Sequence, residues 1–165
     1  MNRYYVADVA GIVDRLSPLP DGVTARPIVA ADVPALAALY LRAYDPPAVG
    51  TYDEAVAEMV SAFDGTWGVL WPEASLSAWI GDELVGVVQC VHRPSAEMGD
   101  APDCPWIIEV FTDPGRRRSG LARALIVAAC RVMDTAGERL IGLTVDDGNV
   151  AALGLYVSLG FSEVA

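Results

Sequence analysis

The sequence predicts a mixed α/β domain whose sheet is antiparallel in its early part and parallel in its late part, with helices packed on it. Three observations carry this. Residues 76–80 and 84–91 are strand-length apolar runs separated by little more than Gly81, Asp82 and Glu83, which reads as a hairpin. Residues 105–112 and 140–145 are further runs, apolar enough to be buried on both faces. Helical stripes over 120–136 and 149–159 follow these runs in turn, so the late strands are joined by helices.

The elements follow in order. Residues 4–16 are ambiguous: Val6, Val9, Val13 and Leu16 fit a helical stripe, while Gly11 and the valines weaken it. Residues 17–22 hold two prolines and read as a linker, and 23–28 as a short strand. Asp32 is placed to cap a helix over 33–43, with Pro34 in the first turn and Leu36, Leu39 and Tyr40 on the apolar face. Thr51 and Glu54 make a capping box ahead of Val56, Met59, Val60 and Phe63, a helix that ends before Gly65. The stripe of Leu121, Leu125, Ala128 and Val132 stops at Gly137. Asp146, Asp147 and Gly148 turn the chain into the last helix, closed by Gly160. There is no repeat and no second domain: residues 23–165 read as one domain behind an N-terminal stretch, 1–22, of unassigned role.

Composition excludes several classes. A chain of 165 residues, 53% apolar, can bury a core and is not of disordered composition. No apolar run approaches the roughly 18–20 residues of a membrane span, and the N-terminus lacks the pattern of a signal peptide. Cys90, Cys104 and Cys130 form no Cys-x-x-Cys pair, which predicts a cytoplasmic protein without a metal site. His92 is the only histidine and no Gly-x-Ser-x-Gly elbow accompanies it, so serine–histidine chemistry is disfavoured. The net charge of −11 leaves no electrostatic footprint for nucleic acid and favours cationic partners such as amines. Against that background Arg116, Arg117 and Arg118 stand in a row with Arg123 close by, either an anion site or a solvated loop.

The informative stretch is residues 112–122, which lead from a strand into a helix. A helix start offers unpaired N–H groups and a positive dipole end. Gly120 and Ala122 are small enough for close approach, and the arginines add charged donors. Together these suit a pyrophosphate, although a plain helix cap fits the same residues. Neither the phosphate loop Gly-x-x-x-x-Gly-Lys-Ser/Thr nor Gly-x-Gly-x-x-Gly is present.

Arg117-x-x-Gly120-x-Ala122 resembles the Arg/Gln-x-x-Gly-x-Gly/Ala signature of the general N-acetyltransferase superfamily, GNAT. About 30 residues later Asn149, Ala152, Leu155, Tyr156, Leu159, Gly160 and Phe161 resemble its Asn-x-x-Ala-x-x-Leu-Tyr-x-x-Leu-Gly-Phe segment. The resemblance spans 23–161 and is strongest over 105–161. It implies a largely antiparallel sheet splayed between the fourth and fifth strands, 105–112 and 140–145, with acetyl-CoA as cosubstrate in the gap. Phe111 and Thr112 would then contact the pantetheine arm through their backbone. Arg117, Arg118, Ser119, Gly120, Leu121 and Ala122 would wrap the pyrophosphate. Asn149 would touch the cofactor arm and Tyr156 would sit by the sulfur. Independently of the family, positions 149 and 156 share one helix face; a capping Asn149 and a core Tyr156 remain alternatives. The family usually ends in a hairpin after Leu-Gly-Phe, whereas only four residues follow Phe161. The terminal hairpin is therefore expected to be short or missing, with the N-terminal stretch or a second chain, as in a homodimer, filling the edge.

The expected chemistry is direct acetyl transfer to a primary amine in a ternary complex. An alkylamine of pKa about 10.4 needs a base. Glu109 interrupts the apolar run 106–111 and is the candidate, sharing a face with Ile107 and Phe111 if the strand is regular; a surface role or a substrate anchor is the other reading, and Asp146 and Asp147 are fallbacks. Tyr156 is the candidate acid for the departing thiolate. The acceptor is a small-molecule or peptide amine, expected to be cationic, and Phe63, Trp67, Trp71 and Trp79 would line its pocket unless they are core. The alternative is a non-catalytic acetyl-CoA-binding sensor or regulatory module, which would need neither Tyr156 nor a base.

Overall fold

A computed structural model describes residues 2–164 of the chain. Seven strands form one sheet: β1 (Asn2–Asp8), β2 (Thr24–Pro27), β3 (Leu76–Ile80), β4 (Glu83–Val91), β5 (Trp106–Thr112), β6 (Leu140–Asp146) and β7 (Ser162–Glu163). Their order is β2-β3-β4-β5-β6-β1-β7. Every pairing is antiparallel except that of β5 with β6. The helices are α1 (Val9–Val13), α2 (Val33–Ala43), α3 (Tyr52–Phe63), α4 (Leu121–Thr135) and α5 (Val150–Ser158). None of them is long and apolar enough to cross a membrane.

The sheet separates two cores. On one face α1, α4 and α5 cover Val88, Cys90, Ile107, Ile141, Leu143 and Val145. On the other, α2 and α3 cover Leu84, Val87 and Phe111. Burying apolar area on both faces is the main favourable term in such a fold. It also explains why the central strands read as continuous apolar runs rather than as alternating ones.

The N-terminus departs most from the sequence expectation. Residues 2–8 are not helical: they form β1, paired along its whole length with β6 from Asn2↔Asp146 to Asp8↔Leu140. Tyr5 and Ala7 enter the α4-side core, while Tyr4 and Val6 pack on the opposite face. That alternation has period two; the helical stripe arose only because the chain changes period after Asp8, with α1 beginning at Val9. Leu16, which seemed to extend the stripe, is 91% exposed. The edge of β6 away from β5 is thus paired within the chain, since β1 lies between β6 and β7. With β1 added, the strands expected to splay as fourth and fifth become β5 and β6.

Asp32 also behaves differently. Its carboxylate makes no cap bond to α2. It accepts from the Val29 N–H at 2.9 Å and pairs with Arg26 at 2.8 Å, pinning the short turn that precedes the helix. Half of the expected capping box on α3 forms: the Glu54 N–H donates to Thr51 Oγ1 at 3.1 Å, but the reciprocal bond to the Thr51 N–H does not. The Glu54 carboxylate accepts from Gly50, one residue before the cap.

At the β5–β6 junction Trp106 lies over Gly142, its register partner. A Cβ at position 142 would stand 2.0 Å from the indole ring. Trp106 is fully buried and has nowhere to go. Gly142→Ala is therefore expected to lower unfolding free energy by about 2–3 kcal/mol through overpacking. A urea midpoint equal to the parent's would show that the two strands adjust freely.

Candidate functional site

β5 and β6 are register partners only at Trp106↔Gly142 and Ile107↔Leu143. Beyond those pairs the strands part, and the edge of β5 from Ile108 to Thr112 has no strand beside it. A backbone edge buried without partners is costly, so such a gap is a natural place for an extended polar ligand. A cavity of about 130 Å³ lies there. Its walls include Tyr44, Glu109, Thr144, Asn149 and Tyr156.

The aim of Glu109 is set by a bulge. Gln89 pairs with Glu109, but the next residue of β4, Cys90, pairs with Ile107, so Ile108 is the extra residue. Bulges bend a strand and re-aim its side chains. Ile107 consequently belongs to the α4-side core and Phe111 to the α2/α3-side core. The expectation that Glu109 shares a face with both is corrected: it goes with Phe111 and the α2/α3 side.

There its carboxylate meets the hydroxyl of Tyr44, which donates to Glu109 Oε1 at 2.5 Å. Tyr44 closes the C-terminal end of α2. Burial pushes the Glu109 pKa up to about 7; the Tyr44 hydrogen bond opposes the rise and the charge of Glu58, on α3, adds to it. A carboxylate poised near neutrality can both take and release a proton at working pH. Burial, then the charge of Glu109, pushes Tyr156 up to about 12, so its hydroxyl stays protonated. Tyr156 comes from α5, with its ring edge-on to Phe161 at 5.8 Å. Among the described residues its hydroxyl has no hydrogen-bond partner, so an O–H donor is left unused beside the cavity.

Asn149 caps α5, its Oδ1 accepting from the Ala152 N–H at 3.2 Å. It also lines the cavity, so the capping and ligand readings are compatible: the carbonyl is used and the amide nitrogen is left to face a ligand.

The loop into α4 has the geometry of an anion cradle. Arg118 has φ 61° and Gly120 φ 80°. Arg118 is the only non-glycine residue with positive φ among those described, and strain of this kind collects at functional turns. Between Arg117 and Arg123 no backbone N–H finds a protein acceptor among the described residues. Alternating left-handed residues ahead of a helix start converge such N–H groups on one point. Two of the four nearby arginine side chains are occupied elsewhere. Arg117 donates to the Ala43 carbonyl at the end of α2. Arg123 donates to Ser158 Oγ at 2.5 Å, tying α4 to α5. The groups left open at the start of α4 are thus backbone N–H groups from Arg118 to Ala122. Phe111 is buried and edge-on to Tyr40 at 5.4 Å, so only its backbone is available to a ligand. Thr112 is half-buried at the end of β5, opposite Gly86. Gly86 itself admits the helix: a Cβ there would touch Leu121 at 3.0 Å.

Some expected residues do not converge. Trp71 stacks on the exposed His92 at 4.3 Å within the α4-side core. Trp79 carries the Arg26 guanidinium and Trp67 donates to Ser61. With Phe63 packed against the α2/α3-side core, the four aromatics form no common pocket; they are structural. Asp146 holds the turn through the Gly148 N–H, and Asp147 pairs with Arg3. All three thiols are buried and pushed up in pKa, so none is a ready nucleophile. Two residues of the site escaped the sequence reading, Tyr44 and Thr144. Tyr44 sits in no motif. Thr144 had a visible signal, being the one hydroxyl in the apolar run of β6.

Comparison with known proteins places the chain. Residues 35–161 match the acetyltransferase (GNAT) family. Mycothiol acetyltransferase of Amycolatopsis mediterranei is 36% identical over 73 residues, which are 44% of this chain and 24% of that protein. The [ribosomal protein bS18]-alanine N-acetyltransferase of Escherichia coli is 37% identical over 57 residues, 34% of this chain and 38% of that one. The chain thus spans well under half the length of these curated relatives. An aminoglycoside N-acetyltransferase solved in complex with CoA superposes with a TM-score of 0.66 over 91% of this chain and 94% of its own, at 18% identity, a likeness of fold.

Proposed function

The chain belongs to the acetyltransferase (GNAT) family, and from that premise we propose that it transfers the acetyl group of acetyl-CoA to a primary amine within one ternary complex. The observation that carries the reading is the meeting of Glu109, Asn149 and Tyr156 in one cavity where β5 leaves β6. β5 supplies a candidate base, α5 a candidate acid, and the parting of β5 from β6 the gap for an extended cosubstrate.

Glu109 accepts a proton from the protonated amine, directly or through water. The freed nitrogen lone pair attacks the thioester carbonyl, and a C–N bond forms. The carbonyl oxygen takes up negative charge, which a backbone N–H of β5 near Thr112 would stabilise. The C–S bond then breaks, Tyr156 gives its proton to the leaving sulfur, and the nitrogen, now bonded to the acyl carbon, releases its second proton to the tyrosinate or to water. Products are the amide and free CoA, and solvent returns Glu109 and Tyr156 to their starting states. Acetyl-CoA supplies the activated acyl carbon; its pyrophosphate would rest on the N–H groups from Arg117 to Ala122 and its pantetheine arm along Phe111, Thr112 and Asn149. The −11 charge and the nearness of Glu58 to Glu109 favour a cationic amine. Relatives named for N-acetylation of a protein alanine and of aminoglycosides fit an amine acceptor, and leave its size open.

Calorimetric titration with acetyl-CoA, with ATP and NAD as controls, tests the premise. Selective binding, followed by thiol release on addition of amines, is the expected result; equal or absent binding rejects it. The cradle has its own test. Gly120 has φ 80° and open space around its Cβ position, so backbone conformation and charge decide its substitutions. Gly120→Asn, which tolerates the left-handed region, is expected to keep most of the affinity. Gly120→Glu, carrying negative charge into the pyrophosphate position, is expected to weaken binding about a hundredfold or more, some 3 kcal/mol. A folded Gly120→Glu protein with parental affinity would exclude the loop as the binding site.

A further inference from the structure

Thr144 lines this cavity and has no part in the reaction above. Its Oγ1 is buried and has no hydrogen-bond partner. A buried hydroxyl left unpaired is costly, and natural structures seldom keep one without a reason. Only one other buried side-chain polar atom among the described residues is in the same position: Nε1 of Trp106, whose ring covers Gly142, two residues before Thr144 on β6. The two orphans therefore cluster at the point where β5 and β6 separate.

The sheet geometry says where Thr144 points. Leu143 and Val145 on either side of it are buried in the α4-side core. Strand alternation sends Thr144 to the opposite face. Glu109 was re-aimed to that same face by the bulge at Ile108. The two side chains thus line one cavity from opposite banks of the gap, one on β5 and one on β6. The neighbouring hydroxyl across the β1–β6 ladder, Tyr4, is already committed, donating to the Met98 carbonyl at 2.7 Å. It does not satisfy Thr144.

We propose that Thr144 is an acceptor-binding residue: its hydroxyl and the Glu109 carboxylate form a two-point seat for the nucleophilic nitrogen of a primary amine. The inference rests on the transfer reading above. A primary ammonium has three N–H donors. Glu109 accepts one and later takes that proton; Thr144 Oγ1 accepts a second, and the nitrogen keeps this bond after it becomes neutral. Two anchors on opposite strands fix the nitrogen while its lone pair turns to the thioester. A cavity of about 130 Å³ admits the aminomethyl end of an acceptor and leaves the rest outside. Thr144 would therefore act on the amine end common to all acceptors, while loops farther out choose among them.

The test compares Thr144→Val and Thr144→Ser with the parent. Probes are n-butylamine and a short peptide with a free N-terminal amine, read by thiol release, with acetyl-CoA affinity measured by calorimetry and stability by thermal unfolding. Valine keeps the shape and removes the hydroxyl. It is expected to raise KM for the amines about tenfold, the worth of one hydrogen bond. Acetyl-CoA affinity should hold, and the melting temperature should not fall, because no protein hydrogen bond is lost. Serine should restore the parental KM. An amine KM unchanged in Thr144→Val overturns the seat, and so does a loss of activity that follows a fall in melting temperature. A parent that binds acetyl-CoA yet releases no thiol with either amine overturns the transfer reading itself, and the seat with it.

Discussion

Replacing Tyr156 with phenylalanine is expected to lower kcat about a hundredfold while leaving acetyl-CoA affinity within about twofold. The substitution isolates one atom. The ring of Tyr156 belongs to the α4-side core and meets Phe161 edge-on, contacts that phenylalanine keeps. The hydroxyl has no protein partner among the described residues, so its removal costs the folded state no hydrogen bond. What is lost is a neutral donor, held protonated by burial and by the charge of Glu109, beside the position of the departing sulfur. Because the sulfur gains charge only as the C–S bond breaks, the bond to Tyr156 strengthens in the transition state, and the loss should fall on kcat rather than on binding. Single-turnover thiol release with calorimetry on the same protein checks both halves. Turnover equal to the parent's removes the acid role, and a matching loss of affinity and melting temperature would make Tyr156 a core residue.

The parts of this site legible in the sequence share a cause. The loop 117–122 and the 149–161 segment announce themselves because close approach to a backbone turn calls for small residues, as at Gly120, and a helix cap for a side chain such as Asn149, and both requirements are local. The C-terminal boundary of α4, the capping of α3 and the hairpin between β3 and β4 were readable for the same reason. What was not readable depends on partners far along the chain. β1 looked helical because its period-two pattern spans only seven residues before α1 restores apolar spacing, and its strand identity comes from pairing with β6, more than 130 residues away. The true face of Glu109 depends on a bulge that exists only in the pairing with β4. Tyr44 lies 65 residues from the carboxylate it binds, so no spacing rule connects them. The same argument explains the tryptophans: composition suggested one aromatic pocket, but the sheet puts Trp71 and Trp79 in different cores.

Glu109→Gln is the second change of large expected effect, and it separates activity from stability. In the folded protein burial raises the Glu109 pKa to about 7 from its usual value near 4.5. The folded state therefore binds a proton that the unfolded chain has already released between those two values. By linkage, stability falls as pH rises through this window, and above about pH 7 the fold carries the full cost of a buried charge. Glutamine removes that cost: the variant is expected to gain up to about 3 kcal/mol over the parent at pH 8, and much less at pH 4. Activity should move the opposite way. A base with a pKa near 7 gives a kcat/KM that climbs through neutral pH, and its removal should flatten that limb and lower the rate about a hundredfold or more. Tyr44→Phe is the companion, since the lost hydrogen bond from Tyr44 had favoured the carboxylate, so the limb should shift to higher pH. Urea unfolding and thiol-release rates across pH 5–9 read both properties. A Glu109→Gln protein that keeps the parental pH–rate profile would show that another group takes the amine proton, whatever it does to stability. One that loses activity without gaining stability above pH 7 would show that Glu109 does not carry the cost of a buried charge in the folded protein, while leaving its role as base standing.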